Sequence, residues 1–319
     1  MLKFSLLGYG HIGKVHRQAI EGTEGAELTS IIDLALPEDE PGIKTYRTLE
    51  SFLNNDKETD VVIIATPNGL HPEHAIRCLS AGKHVLIEKP MALSTQRAEE
   101  IVNFAQTKEL RVFSSMQLRF SPPVSYVKKL LENGSLGEIY MVNIHCYWNR
   151  NKNYYKTRYW HGTQEMDGGV LFTQFSHFID ILNYWFGEVE CKSSSFFNFN
   201  HQGITDFPDS GKVDFKAGTA EGNMIFTTSV YEQNYESGIV IIAEKGTIKI
   251  GDQYLNELKY SNLKNVVCPQ NNLSTTVKNF HPNAIQEIVE AVSENRESIL
   301  DGHHAVRLER QRSLEPVGR

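Results

Sequence analysis

Leu2–Leu7 is an apolar run that feeds directly into Gly8-Tyr9-Gly10-His11-Ile12-Gly13, and a helical pattern, Ile12–Glu21, follows at once. Few features limit a fold so tightly. Three glycines at this spacing between a strand and a helix do separate jobs. Gly8 allows a tight turn, Gly10 lets a pyrophosphate approach the backbone, and Gly13 lets the helix pack close to the strand. The free N–H groups opening the helix attract phosphate. Such a turn belongs to a dinucleotide site when an acidic residue ends the next strand, and Asp33 does so twenty residues after Gly13. A carboxylate there accepts hydrogen bonds from the ribose hydroxyls of NAD and repels the 2′-phosphate of NADP. No Arg or Lys follows before Lys44 to hold that phosphate. NAD is the expected cofactor.

The first 120 residues keep alternating between strand and helix. Glu27–Ile32, Val61–Ile64, His84–Ile87 and Arg111–Ser115 read as strands; Thr48–Asn54, Pro72–Ala81 and Ser94–Lys108 read as helices, with Gly82 and Ser94 as caps. Continuous apolar strands joined by helices imply a parallel sheet covered on both faces. After residue 120 the pattern changes. A helix opens at Pro122-Pro123, then longer, alternating segments follow: Ile139–Trp148, Glu188–Asn200, Lys212–Ala217, Asn223–Val230, Gly238–Ala243, Thr247–Ile250 and Tyr254–Tyr260. Lys245-Gly246 is a hairpin turn. One helix, Gly169–Phe186, interrupts the strands, and another, Phe280–Glu297, follows them. The expected fold class is α/β in residues 1–120, a doubly wound parallel sheet, joined to a mostly antiparallel α+β domain over 121–319.

Composition excludes several functions. Lys and Arg number 32 against 39 Asp and Glu, so the basic excess of a duplex-binding protein is missing and no nucleic-acid partner is expected. The acidic run Glu38-Asp39-Glu40 reads as a solvated loop. No apolar run approaches the ~20 residues needed to span a bilayer, and Gly8-Tyr9-Gly10 breaks the N-terminal run too early for a signal peptide. Cys78, Cys146, Cys191 and Cys268 are scattered without a CxxC pair, so neither a metal site nor a disulfide framework is expected. A cytoplasmic location fits such thiols.

The carboxyl ends of parallel strands carry the chemistry in such sheets. Thr66-Pro67-Asn68-Gly69-Leu70-His71 follows one strand, placing Asn68 and His71 near the cofactor, and Glu88-Lys89-Pro90 follows the next. Pro90 restricts Lys89 to extended geometry, so its ammonium projects at the sheet edge. In the 169–186 segment, Phe172, Phe175, Ile179, Leu182 and Phe186 share one helical arc, while Thr173, His177, Asp180 and Tyr184 share another. A histidine with Thr and Asp one turn away suits proton transfer, because either neighbour can fix its tautomer. Arg119, Tyr155, Arg158, Trp160 and Gln174 are the further candidates for a substrate pocket, since aromatics suit a sugar face and arginine suits a carboxylate or phosphate.

Gly8–Gly13, Asp33, Thr66–His71, Glu88-Lys89-Pro90 and Gly168-Gly169…His177 together resemble the glucose–fructose oxidoreductase/inositol dehydrogenase family (Gfo/Idh/MocA), from residue 2 to about 300. The resemblance implies an N-terminal Rossmann domain and a C-terminal domain with a large open sheet that often forms homo-dimers or tetramers. It implies hydride transfer between NAD and a sugar or cyclitol, with Lys89 and His177 as the catalytic pair. The cofactor set it implies is Gly8, Gly10, His11, Ile12, Gly13, Asp33, Thr66, Pro67, Asn68, His71, Glu88, Lys89 and Gln117. The substrate set is Lys89, Arg119, Tyr155, Arg158, Trp160, Thr173, Gln174 and His177. The family often carries Asp four residues before the histidine; here Thr173 stands there and cannot serve as acid or base near neutral pH. Gln117–Pro122, Tyr147–Tyr155, Trp160–Thr163, Asp167-Gly168-Gly169 and Ser237–Gly251 are similar to the branch of UDP-N-acetyl-glucosaminuronate 3-dehydrogenases. An inositol or free aldose dehydrogenase, or a non-catalytic NAD-binding regulator, is the alternative.

Overall fold

A computed structural model of the chain describes residues 1–36, 42–266 and 273–312. Glu38–Glu40, Cys268 and the end of the tail lie outside the described residues. The chain divides into two compact units, residues 1–117 with 281–309, and residues 118–280. The division falls three residues before the expected boundary at 120. Residues 281–309, expected in the second domain, pack instead with the first.

The first unit holds six parallel strands: β1 (Leu2–Leu7), β2 (Ala26–Ile32), β3 (Lys44–Tyr46), β4 (Val61–Ile64), β5 (His84–Ile87) and β6 (Val112–Ser114), in the order β3-β2-β1-β4-β5-β6. Their crossover helices are α1 (His11–Glu21), α2 (Leu49–Asn55), α3 (His71–Ser80) and α4 (Thr95–Thr107). The caps are local chemistry: Thr48 Oγ1 accepts the Ser51 N–H and Ser94 Oγ the Arg97 N–H. β4 and the last three residues of β5 are wholly buried, so each side chain contributes about 1.5–3 kcal/mol by leaving water. That is why these strands read as unbroken apolar runs. A strand of three residues, β3, escaped the sequence reading because Lys44-Thr45-Tyr46 has no apolar pattern. The returning helix α9 (His281–Ser293, residues that open the expected Phe280–Glu297 helix) packs on α1. A last helix, α10 (Gly302–Arg312), adds Ala305 and Val306 to the apolar core that holds Val62, Ile64, Val85 and Ile87.

Register aligns the carboxyl ends. Leu7 pairs with Ile32 and Ile64, Ile64 with Ile87, and Ile87 with Ser114. Gly8, Asp33, Thr66 and Glu88 therefore all leave the sheet at one edge.

The second unit carries seven strands: β7 (Ile139–Tyr147), β8 (Val189–Phe197), β9 (Ser210–Ala217), β10 (Ala220–Thr227), β11 (Glu236–Ala243), β12 (Gly246–Gly251) and β13 (Glu257–Leu263). Their order is β13-β12-β11-β7-β10-β9-β8, and only the β7–β10 pair is parallel. Two residues, Glu244 and Lys245, turn β11 into β12, as the hairpin signal implied. The helices α5 (Pro122–Glu132), α6 (Lys152–Lys156), α7 (Val170–Thr173) and α8 (Ser176–Phe186) complete it. Val142, Ile144, Cys146, Met224, Phe226, Ile239 and Ile241 are buried, whereas Met141, Ile225 and Ile242 on the opposite face are exposed. The strands alternate because one face alone is covered.

The single helix expected over 169–186 is two. The Phe175 N–H bonds to the Val170 carbonyl, five residues back, and the chain turns at Gln174–Phe175 before α8 starts. The expected arc of Thr173, His177, Asp180 and Tyr184 is therefore cut between its first two members. Among the described residues no helix is long and apolar enough to cross a membrane.

Candidate active site

In the first unit, the turn after β1 works through steric exclusion. Gly8 has φ +97°, and a Cβ there would lie 2.6 Å from the Ala65 carbonyl oxygen. At Gly13 a Cβ would meet the Gly8 carbonyl oxygen at 2.3 Å. Gly13 is thus required by the turn itself as much as by helix–strand packing. Gly10 caps α1 without a side-chain bond, leaving the helix N-terminus as an N–H cradle beside His11 and Ile12. Asp33 holds the loop around it: Oδ2 accepts the Tyr9 N–H at 2.7 Å and Oδ1 the Ala35 N–H at 2.8 Å. Each oxygen keeps a lone pair for a ribose hydroxyl. The buried amide oxygen of Gln117 finds no partner among the described groups. A glycine cradle, a half-open carboxylate and an orphaned acceptor fit a dinucleotide.

Asp33→Ser is expected to weaken NADH binding by about tenfold or more, the cost of a hydrogen bond to a charged acceptor, and to raise the relative affinity for NADPH. Fluorescence titration with both nucleotides checks it; an unchanged ratio would remove Asp33 from the cofactor set.

Behind this edge lies a buried bracket. His71 is fully buried; Nδ1 lies 2.8 Å from the Pro90 carbonyl and Nε2 2.8 Å from the Thr66 carbonyl. It ties the loop after β4 to the loop after β5, rather than simply opening α3. Thr66 Oγ1 meets His74 Nδ1 at 3.0 Å. Asn68 is buried, and Thr66 and Pro67 are half-buried.

Glu88 is also buried. His16 Nε2, from α1, lies 2.7 Å from its Oε1, and His281 Nε2, from α9, at 3.8 Å. Burial pushes the Glu88 carboxyl up, but the hydrogen bond with His16 and the nearby His281 imidazole prevail and hold it well below the carboxylate range. Its Oε2 accepts the N–H of Lys89 at 3.2 Å. Lys89 itself is half-buried. His16 and His281 were missed from sequence because one sits inside a helix and the other 193 positions from Glu88.

In the second unit, α7, the turn after it and α8 present Thr173, Gln174 and His177. Thr173 Oγ1 donates to the Gly169 carbonyl at 3.0 Å, and His177 is half-buried. Gln174 Nε2 donates to the Tyr154 hydroxyl at 2.8 Å, while Arg150 Nε donates to Gln174 Oε1 at 2.6 Å. Tyr154 stacks on His161, and Trp160 packs edge-on to His161.

Three expected residues lie in other settings. Arg119 is buried and paired in two places with Asp180, Nε to Oδ2 at 2.9 Å and Nη to Oδ1 at 2.5 Å. Asp180 is therefore committed to Arg119 and not to the His177 tautomer. Tyr155 is buried against His201 and Phe207, and burial pushes its phenol up. Arg158 is exposed. Arg150 and Tyr154 were missed; the signal was there, a cation directly after the aromatic end of β7.

The sequence profile of the oxidoreductase family with an NAD-binding Rossmann fold (GFO_IDH_MocA) matches residues 2–116, and that of the family's C-terminal alpha/beta domain matches residues 128–311. The chain belongs to this family and is an NAD-binding oxidoreductase. It is similar to the WlbA dehydrogenase from Bordetella pertussis, solved in complex with NADH and UDP-GlcNAcA: 30% identity, TM-score 0.89, 96% of this chain and 92% of that one. The corresponding dehydrogenase of Chromobacterium violaceum, with the same two ligands, is 28% identical with TM-score 0.88, over 96% and 90%. An uncharacterised oxidoreductase of Synechocystis is 28% identical over 80% of this chain and 73% of its own length.

Proposed function

We propose that the protein oxidises a secondary alcohol of a sugar nucleotide close to UDP-N-acetyl-glucosaminuronate. The observation that carries this is the likeness, over nearly the whole chain, to two dehydrogenases whose complexes hold NADH and UDP-GlcNAcA. NAD held along the β1–β4–β5 edge would supply the hydride acceptor. Gly8, Gly10 and Gly13 make room for it, Asp33 binds the ribose, and Gln117 offers the orphaned acceptor. Lys89 and His177 are the catalytic pair, one of them removing the hydroxyl proton as hydride leaves carbon. The Thr173 hydroxyl does not ionise near neutral pH, so it orients rather than titrates. NAD reduction at 340 nm with UDP-N-acetyl-glucosaminuronate, UDP-N-acetylglucosamine, free aldoses and myo-inositol tests the reading. Turnover only with the free polyols would overturn the nucleotide-sugar part.

The open face of the second sheet, with Met141 49%, Ile225 46% and Ile242 41% exposed, suits burial against a second copy in a homo-dimer or tetramer. A monomer by light scattering would exclude that. Free Cys78, Cys146 and Cys191 fit a cytoplasmic setting, and recovery in an extracytoplasmic fraction would oppose it.

A further inference from the structure

Two arginines of the second unit are taken away from bulk water, and the fold treats them differently. Arg119 has its own carboxylate, Asp180. Arg150 has none within ion-pair distance among the described residues. Its Nε donates to Gln174 Oε1 at 2.6 Å, and one Nη donates to the Asn149 carbonyl at 2.7 Å and to Asn234 Oδ1 at 3.3 Å. Its guanidinium lies 5.0 Å from the Trp148 ring centre and 5.3 Å from that of Tyr154. Every one of these partners is neutral. Burial pulls the guanidinium's pKa down, and the opposing influences come from Tyr154, Tyr155 and Tyr254, phenols that are uncharged near neutral pH. Arg111 of the first unit also has no acid within ion-pair distance among the described residues, but it donates to the Ala291 carbonyl in the last turn of α9 and to the Arg296 carbonyl just beyond it, where the helix dipole is negative. Arg150 has no such compensation.

The group is also held in place. Two rings and three hydrogen bonds fix its plane, and among the described residues its second Nη group makes no hydrogen bond to an amide or carboxylate oxygen, the Tyr154 hydroxyl being the polar group beside it. A planar cation whose orientation is settled in advance binds an oxyanion with little further ordering. Its place is next to the candidate substrate residues, because Gln174 is its partner and lies between Thr173 and His177 in sequence.

We propose that Arg150 is the anion receptor of the substrate site, taking a carboxylate or phosphate oxygen of an acidic sugar. The inference rests on the sugar-oxidoreductase reading above and adds the residue that selects for charge.

The test is calorimetric binding, in the presence of NADH, of D-glucose, D-glucuronate, glucose 6-phosphate, UDP, UDP-N-acetylglucosamine and UDP-N-acetyl-glucosaminuronate to the wild type, Arg150→Gln and Arg150→Lys. Arg150→Gln is expected to lose about 10–100-fold in affinity for the anionic ligand that reaches the residue, with D-glucose unaffected. Arg150→Lys is expected to recover part of the loss, and it reads the charge if the glutamine variant does not fold. Loss with glucuronate and UDP-N-acetyl-glucosaminuronate, but not with UDP-N-acetylglucosamine, identifies a carboxylate. Equal loss with UDP and both UDP sugars identifies a phosphate. If wild type binds glucuronate or glucose 6-phosphate through Arg150 but no UDP sugar, the nucleotide-sugar reading fails and the receptor stands. If wild type favours no anion over its neutral counterpart, or if neutral and acidic ligands weaken equally in the glutamine variant, the receptor is overturned, while NAD reduction by a neutral sugar would still uphold the dehydrogenase.

Discussion

Replacing Lys89 by methionine is expected to lower turnover by about 10²–10⁴-fold, the usual worth of a positioned acid or base, while NADH binding persists. His177→Ala is expected to do the same. The structure helps the lysine experiment, because the backbone at this position has bonds of its own. On one side the Lys89 N–H is bonded to Glu88 Oε2, and Glu88 is fixed by His16. On the other the Pro90 carbonyl is bonded to His71. Removing the charged tip leaves both bonds in place. Single-turnover measurement of NADH formation, set beside fluorescence titration of NADH, separates chemistry from binding. If either variant turned over at the wild-type rate, that residue would leave the catalytic pair. If NADH binding collapsed with turnover, the change would be in the cofactor site instead.

Much of the first unit was legible because its physics is local or periodic. Val61–Ile64 and His84–Ile87 are covered on both faces, so their apolar runs mark strands directly, and the turn residues that follow mark the sheet edge. The place of Asp33 at the end of β2 was legible from spacing alone. The Glu88 site was not. Its two histidines come from α1 and from α9, and α9 returns to this unit only after the whole second sheet has been built. A buried carboxylate between two imidazoles leaves no pattern in the chain, since each member looks like an ordinary helix or loop residue.

The second unit was legible as a sheet and less so as a site. Alternation along β7 and β11 gave the covered and open faces, and Lys245-Gly246 gave a hairpin. The apolar arc from Phe172 to Phe186 also suggested one continuous helix, because a turn at Gln174 changes no residue type on that arc. What breaks the helix is the backbone bond from Phe175 to Val170, together with Gln174 turning to Tyr154 and Arg150. From sequence, Arg119 was a candidate for the substrate pocket and Arg150 was not singled out; contacts across 61 and 24 positions decide which of them has an acid.

The Arg119–Asp180 pair carries the largest expected effect on stability. Both side chains are almost fully buried, 3% and 1% exposed, so water screens neither charge. The pair ties the short 3-10 turn Gln117–Phe120 to α8, and the guanidinium also lies 5.1 Å from the Tyr184 ring centre. Asp180→Asn keeps the shape and removes the negative charge, leaving a buried cation without compensation, which costs about 3–5 kcal/mol. For a unit of this size that lowers the melting temperature by about 10 °C. Arg119→Met is expected to be similarly harmful, because it strands the carboxylate instead. Arg119→Met with Asp180→Leu is expected to recover much of the loss, since removing both charges also removes their desolvation cost. Calorimetric melting of the three variants checks the order. Additive losses in the double variant, or an Asp180→Asn protein that melts with the wild type, would show that the pair is solvated and that Arg119 is free to serve a ligand after all.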